Sequence, residues 1–348
     1  MRDLTQYAFA NAKIRAMLSY LLGPAQLSSL VEAADIEELK EKLKNTAYGD
    51  VIASLGTDTC ELAEVEKALA RYDVAVLRKI YFTLNSSSLK KFISLFLQRY
   101  ELEQLKIALR IWHRKLAVAV EEYVLAEKIV FNIDYKKIIL CQSIEEVIIL
   151  LDDTPYKRPL LKAREKFKTH NAAFYLEVAL DVDYYERLLA CTEKFSSRDR
   201  VVARKLIGIE VDIENISWFI RLRKYYSVGM GDILEWVIPG GDKIDIERIR
   251  SFYTSDGLGQ VVASIALGPY IKIKELMDEN AALVESFLYE VLSREVKRTL
   301  AGFPFTIGTI LGYLILKHRE TKNLISLFYA KSYQMKKEDI ASLLQIPA

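Results

Sequence analysis

Acidic pairs on a helix are where metal-dependent chemistry would start in a helical protein. Asp152-Asp153 is followed by Thr154-Pro155-Tyr156, so the third acid of an Asp-Asp-x-x-Asp metal motif is missing. Pro155 also stands where that helix would have to continue. Asp181 and Asp183 lie two apart with Glu186 nearby, but residues i and i+2 of a helix do not face each other. Both sets read as solvated charge. The 3 histidines, His113, His170 and His318, are far apart and form no His-x-x-x-His or Glu-x-x-His spacing, which points to structural or surface roles rather than metal ligation. There is no Gly-x-x-x-x-Gly-Lys-Ser/Thr phosphate loop, and Gly229-Met-Gly231, Pro239-Gly-Gly241 and Gly257-Leu-Gly259 read as turns. No catalytic residue, metal site or cofactor is expected.

A different set of acids recurs. Glu101, Asp212 and Glu320 each open a helical stretch, followed at +4 by Leu105, Ile216 and Leu324, at +7 by Ala108, Phe219 and Leu327, and at +8 by Leu109, Ile220 and Phe328. That spacing puts the apolar positions on one face. The second and third copies also share Asn215 with Asn323, Arg223 with Lys331 and Tyr225 with Tyr333. Acids early in a helix complement its dipole and pair with bases one turn away. Recurrence by threes leaves a second reading open, a role in a shared interface.

A second pattern recurs about 108 residues apart: Asp35-Ile-Glu-Glu-Leu39 with Thr46-Ala-Tyr48, then Ser143-Ile-Glu-Glu-Val147 with Thr154-Pro-Tyr156. A weaker third copy is Asp245-Ile-Glu-Arg-Ile249, which places Leu258 where Tyr48 and Tyr156 stand. Each copy reads as a short amphipathic helix followed by a corner. A corner tyrosine either anchors a partner surface or pins the corner onto its own domain.

The elements that position these residues are helices. Leu89-x-x-Phe92-Ile93-x-x-Phe96-Leu97-x-x-Tyr100 makes one buried stripe, and Leu62–Leu84, Phe174–Leu189 and Ala281–Leu300 behave alike. The one strand-like run, Lys136–Leu140, is short and isolated. With 7 Pro and 14 Gly among 348 residues, the chain is poor in turn formers. The expectation is an all-α protein of three related helical domains, near 1–115, 116–228 and 229–348.

Composition narrows the function classes. A balance of 49 basic against 47 acidic residues gives a net charge of +2 and no basic stripe, which argues against binding duplex nucleic acid. Cys60, Cys141 and Cys191 form no Cys-x-x-Cys pair and suit a reducing compartment as small core residues. Ala301–Leu316 is too short and too interrupted by Pro304 and glycines to span a bilayer, and the amphipathic start shows no signal peptide. A helical adaptor that grips other proteins fits all of this.

The ordered set of motifs resembles the C subunit of the archaeal and bacterial A/V-type ATPases, a relative of the vacuolar ATPase d subunit. The similarity rests on Tyr7-Ala-x-Ala-Asn11-Ala-Lys-Ile-Arg15-Ala, Tyr100-Glu-Leu-Glu-x-Leu-Lys-x-x-Leu-Arg110, and Asp212-Ile-Glu-Asn215-Ile with Arg221, Tyr225-Tyr226 and Ile238-Pro-Gly-Gly241. It continues through Gly312-Tyr-Leu, Lys317, Glu320, Asn323-Leu324 and Ala330-Lys331. Trp112-His113 departs from the family's pattern. The resemblance implies a funnel of three helical domains with pseudo-threefold symmetry and no chemistry of its own. It further implies a site on the cytoplasmic face of the membrane, where the chain would join the central shaft, subunits D and F, to the proteolipid rotor ring and transmit torque for ion transport.

Overall fold

A computed structural model describes residues 2–55, 61–225, 235–245, 247, 268–273, 275–276 and 281–344. Every regular element among them is a helix. In chain order these are α1 (Arg2–Leu18), α2 (Pro24–Val31), α3 (Ile36–Lys44), α4 (Gly49–Ala53), α5 (Leu62–Thr83), α6 (Ser87–Arg114), α7 (Tyr135–Leu140) and α8 (Ile144–Leu150). There follow α9 (Lys157–His170), α10 (Phe174–Thr192), α11 (Ser197–Tyr225), α12 (Ala281–Ala301), α13 (Ile307–Ser332) and α14 (Lys337–Leu343). The strand-like run Lys136–Leu140 falls inside α7, which Asp134 starts by accepting the Lys137 N–H at 3.1 Å.

The chain divides into two compact units. The smaller is Leu55–Cys191; the larger joins Met1–Ser54 to Thr192–Ala348. In the smaller unit α5 and α6 form a hairpin, and α7 packs on both α6 and α8. In the larger unit α12 and α13 form a hairpin, with α11 against both helices and α1 along α13. The α12–α13 approach is close: a Cβ on Gly308 would lie 2.6 Å from Thr299 Cγ2 and 2.9 Å from Val202 Cγ1. Only glycine fits at that contact.

The three long helices begin alike. Hydroxyl residues Ser86, Ser196 and Thr306 precede α6, α11 and α13, and their oxygens accept from Leu89, Asp199 and Gly308 N–H at 3.5, 3.3 and 3.2 Å. Each satisfies a backbone donor that the helix leaves orphaned. Glu101, Asp212 and Glu320 therefore do not open helices. They sit mid-helix in α6, α11 and α13, and the dipole reading of these acids falls away.

The corner motif has one chemistry in both described copies. Asp35 and Ser143 accept the N–H of Glu38 and Glu146 at 2.9 and 3.3 Å. Those glutamates reach back to the N–H of Ala34 and Gln142, the residue before each cap, at 2.7 and 2.8 Å, a variant of the reciprocal capping box. At the far end Thr46 and Thr154 donate to Leu43 and Leu151 carbonyls, each at 2.7 Å. The same hydroxyls accept the N–H of Tyr48 and Tyr156 at 3.2 and 3.3 Å, fixing the turn into the tyrosine. Of the third copy, Ile246 and residues 248–250 lie outside the described residues, as do Tyr253, Leu258 and Cys60.

Two charge assignments need correcting. Asp181 and Asp183 are buried rather than solvated. Asp181 meets Lys106 at 2.8 Å and Asp183 meets Arg187 at 2.6 Å, so the two acids do point to different partners. Asp152 is exposed beside Lys157, as expected. Cys191 is buried, while Cys141 is only partly so.

The cap at α8 is testable. Ser143→Ala removes the acceptor for Glu146 N–H and is expected to cost about 1 kcal/mol in chemical denaturation, whereas Ser143→Asn keeps it.

Candidate functional site

The acids and the tyrosines turn out to be one device. Glu101 on α6 accepts the N–H of Val130 and Phe131 on one oxygen, at 2.9 and 2.7 Å, and the Tyr156 hydroxyl on the other, at 2.8 Å. Asp212 on α11 accepts the N–H of Lys243 and Ile244 at 2.8 and 2.9 Å and the Tyr270 hydroxyl at 2.8 Å. Glu320 on α13 accepts the N–H of Leu22 and, at 2.6 Å, the Tyr48 hydroxyl. In each case a helix is tied to a neighbouring loop through backbone donors and to a distant corner through a phenol. The first lock lies within the smaller unit, the other two within the larger.

Burial makes the ties strong. Asp212, Tyr48 and Tyr270 are 0% exposed, and Glu101 and Tyr156 are 1% exposed. Loss of solvent pushes the Glu101 carboxyl upward against the opposing pull of its hydrogen bonds from Val130, Phe131 and Tyr156. The same cause takes Asp212 up to about 6, again opposed by Tyr270 and the two backbone donors. Burial and then the neighbouring carboxylate raise Tyr156 and Tyr270 well above the ordinary phenol range. Both phenols therefore remain protonated donors.

The third lock has an added cation. Lys317 donates to the Tyr48 oxygen at 2.5 Å, lies 3.4 Å from Glu320 and stands 4.1 Å from the centre of the Tyr48 ring. The same helix position is occupied by Gln98 and Ile209 in the other two copies.

A buried amide follows each acid by three residues. Gln104 accepts the Leu125 N–H at 2.6 Å. Asn215 donates to the Ile238 carbonyl and accepts its N–H, both at 2.9 Å. Asn323 is buried at the matching place. Eight residues further on, Lys331 donates to the carbonyls of Val31 and Ala33, both at 2.6 Å. Trp112 holds that position in the first copy, and its Nε1 donates to the Cys141 carbonyl at 2.8 Å. Cys141 is to the second corner what Ala33 is to the first, so the departure at Trp112 keeps the contact with a different donor. The side chain of Arg223 lies outside the described residues.

Sequence spacing alone picks out Glu101, Asp212, Glu320, Tyr48 and Tyr156, and the structure joins them. Leu258 is outside the described residues; the tyrosine that meets Asp212 is Tyr270. Spacing gives no role to Gln104, Tyr270 or Lys317. The buried rings of Tyr48 and Tyr156 favour pinning over anchoring, because an anchor must reach solvent before its partner arrives. Among the described residues no three His, Cys, Asp or Glu side chains converge as a metal site would require. His113 instead contacts Asn171 at 3.0 Å, and His170 stacks on Tyr175 at 4.9 Å. What the arrangement can do is hold helices and corners together.

Fold and site define an all-α protein held by internal carboxylate locks. The chain belongs to the ATP synthase (C/AC39) subunit family, whose pattern matches residues 10–343. It is 28% identical to the A-type ATP synthase C subunit of Methanocaldococcus jannaschii, over 98% of this chain and 87% of that protein. The C subunit of the Methanosphaera stadtmanae A-type ATP synthase is 25% identical over 91% of this chain and 82% of its own length. That of Thermococcus onnurineus is 24% identical over 92% and 85%.

Two measurements probe the locks. Tyr156→Phe removes one of three donors from a buried carboxylate and should destabilise the fold by about 1–3 kcal/mol in denaturant titration. Asp212 adds a pH signature. Its folded pKa, about 6, lies above the ordinary aspartate value of 3.8, so its contribution to stability is complete below about pH 4 and fades as pH rises through 6. Between pH 7 and pH 5 this group should add about 1 kcal/mol, an increment absent from Asp212→Asn, read by thermal melts of both proteins.

Proposed function

We propose that this chain is a non-catalytic central-stalk subunit of a rotary A/V-type ATPase. In this reading it seats the foot of the shaft, subunits D and F, on the proteolipid ring at the cytoplasmic face of the membrane. It passes torque between ATP turnover and proton or sodium movement. The family match over residues 10–343 carries the proposal, because it covers nearly the whole chain and not one motif. The similarity to A-type ATP synthase C subunits along most of the chain supports it.

The physical features suit the work. A coupler under torsional load must resist shear, and close-packed helices with satisfied backbones do so. Carboxylate locks add charge-assisted bonds where helices meet loops and corners, the joints that would otherwise yield first. The recurrence of the lock at intervals of about 110 residues supports three related domains. A peripheral position is compatible with the helices present, as none among the described residues is long and apolar enough to cross a membrane.

The purified chain should associate reversibly with a folded D–F pair at low salt. If charge steers the encounter, association slows as salt rises past about 0.15 M. Surface plasmon resonance at several ionic strengths measures this, and no association at low salt would remove the proposal.

A further inference from the structure

We propose that one end of the larger unit is a docking surface for an anionic lipid bilayer. The end is defined by its own hydrogen bonds. Ile307 N–H meets Asp199 at 2.8 Å, which brings the starts of α11 and α13 together. Arg15 of α1 reaches the Leu300 carbonyl at 3.4 Å, near the close of α12. The connection between α12 and α13 therefore lies beside the first turns of α11.

Two apolar side chains project there. Phe303, in that connection, is 50% exposed, and Val201 on α11 is 70% exposed. Arg198, one helical turn before Val201, lies over the Phe303 ring at 4.7 Å. From 194 to 205 the chain carries Lys194, Arg198, Arg200, Arg204 and Lys205 against one acid, Asp199. That acid is buried and turned inward onto Tyr7 and Ile307. Glu193 meets Arg200 and Arg204, and Asp242 meets Lys205. Lys194 and Arg198 have no acidic partner among the described residues. Arg198 covers one face of the exposed phenyl ring, and Lys194 lies four residues before Arg198 in the chain.

An exposed aromatic, an aliphatic neighbour and uncompensated cations match the interfacial layer of a membrane. There the ring lies among headgroups and the cations meet phosphate and carboxylate. One ring on a hairpin tip and one aliphatic side chain on α11 need no shaped recess in the partner, which favours lipid over an acidic protein segment. Contact with lipid goes beyond the rotor reading and stands or falls without it.

The test is flotation of the full chain, without partner subunits, with vesicles of phosphatidylcholine containing about a third phosphatidylserine, and with pure phosphatidylcholine vesicles. Binding to the anionic vesicles alone is expected, weakening beyond about 0.15 M salt. Arg198→Glu and Phe303→Ser should each lower it by about fivefold or more. Val201→Glu, at a site too exposed to carry the fold, should do the same with an unchanged melting temperature. No binding to anionic vesicles at low salt, equal binding to neutral ones, or binding indifferent to Val201→Glu and Arg198→Glu would overturn the proposal. Retention on intact rotor rings but not on vesicles would assign the surface to protein instead.

Discussion

A carboxylate taken out of water loses several kcal/mol of solvation unless oriented donors replace what the solvent supplied. Glu101, Asp212 and Glu320 meet that demand in one manner, with donors drawn from segments far away in sequence. The helix, the loop and the corner must all be in place before any of the three carboxylates is satisfied. Removing one partner leaves a buried charge short of a donor, a larger loss than the single hydrogen bond it made. The local helices need little help to form. Their mutual arrangement depends on these acids.

The third lock has a topological consequence. Tyr48 belongs to the first corner of the chain, and Glu320 to its last long helix. Lys331 adds a second tie between the same segments by closing on the carbonyls of Val31 and Ala33. The larger unit is thereby built from both ends of the sequence, and the repeating scheme of helix acid and following corner is completed by the corner that comes first. A fold closed this way must offset the entropy of closing a very long loop, which these buried contacts do. Its ends are held by the same chemistry as its middle.

Much of the fold is legible in the sequence, and the reasons are local. The helix caps at Asp35 and Ser143 are short-range signals, and the apolar stripe from Leu89 gives its period without any tertiary knowledge. The locks are half legible. Recurrence picks out the three acids, but an acid within a helical pattern carries no mark of burial, so dipole support is the natural reading and a mistaken one. Tyr270 escapes because the third copy is longer between Asp245 and its tyrosine, so the fixed offset from the start of the corner motif lands on Leu258. Gln104 escapes because it is a longer amide than Asn215 and Asn323. Trp112 looks like a departure because its donor nitrogen sits on an indole in place of an amine.

The three locks also show how side-chain length sets its own backbone requirements. Asp212 is one methylene shorter than Glu101 or Glu320, so its loop must come closer to the helix. A Cβ on Gly241 would lie 2.2 Å from Asp212 Oδ1 and 2.4 Å from the Ile244 carbonyl oxygen, which leaves glycine as the residue that fits. The Pro239-Gly-Gly241 run that reads as a turn is thus also the clearance for a buried carboxylate. Glu320 solves the electrostatic side differently, since Lys317 places a positive charge against both its carboxylate and the phenol of Tyr48. Asp212 relies on neutral donors, and burial holds its pKa near 6. One scheme is therefore realised in different ways: Glu320 faces the cation of Lys317, whereas Asp212 has neutral donors only, presented by a loop that must contain glycine.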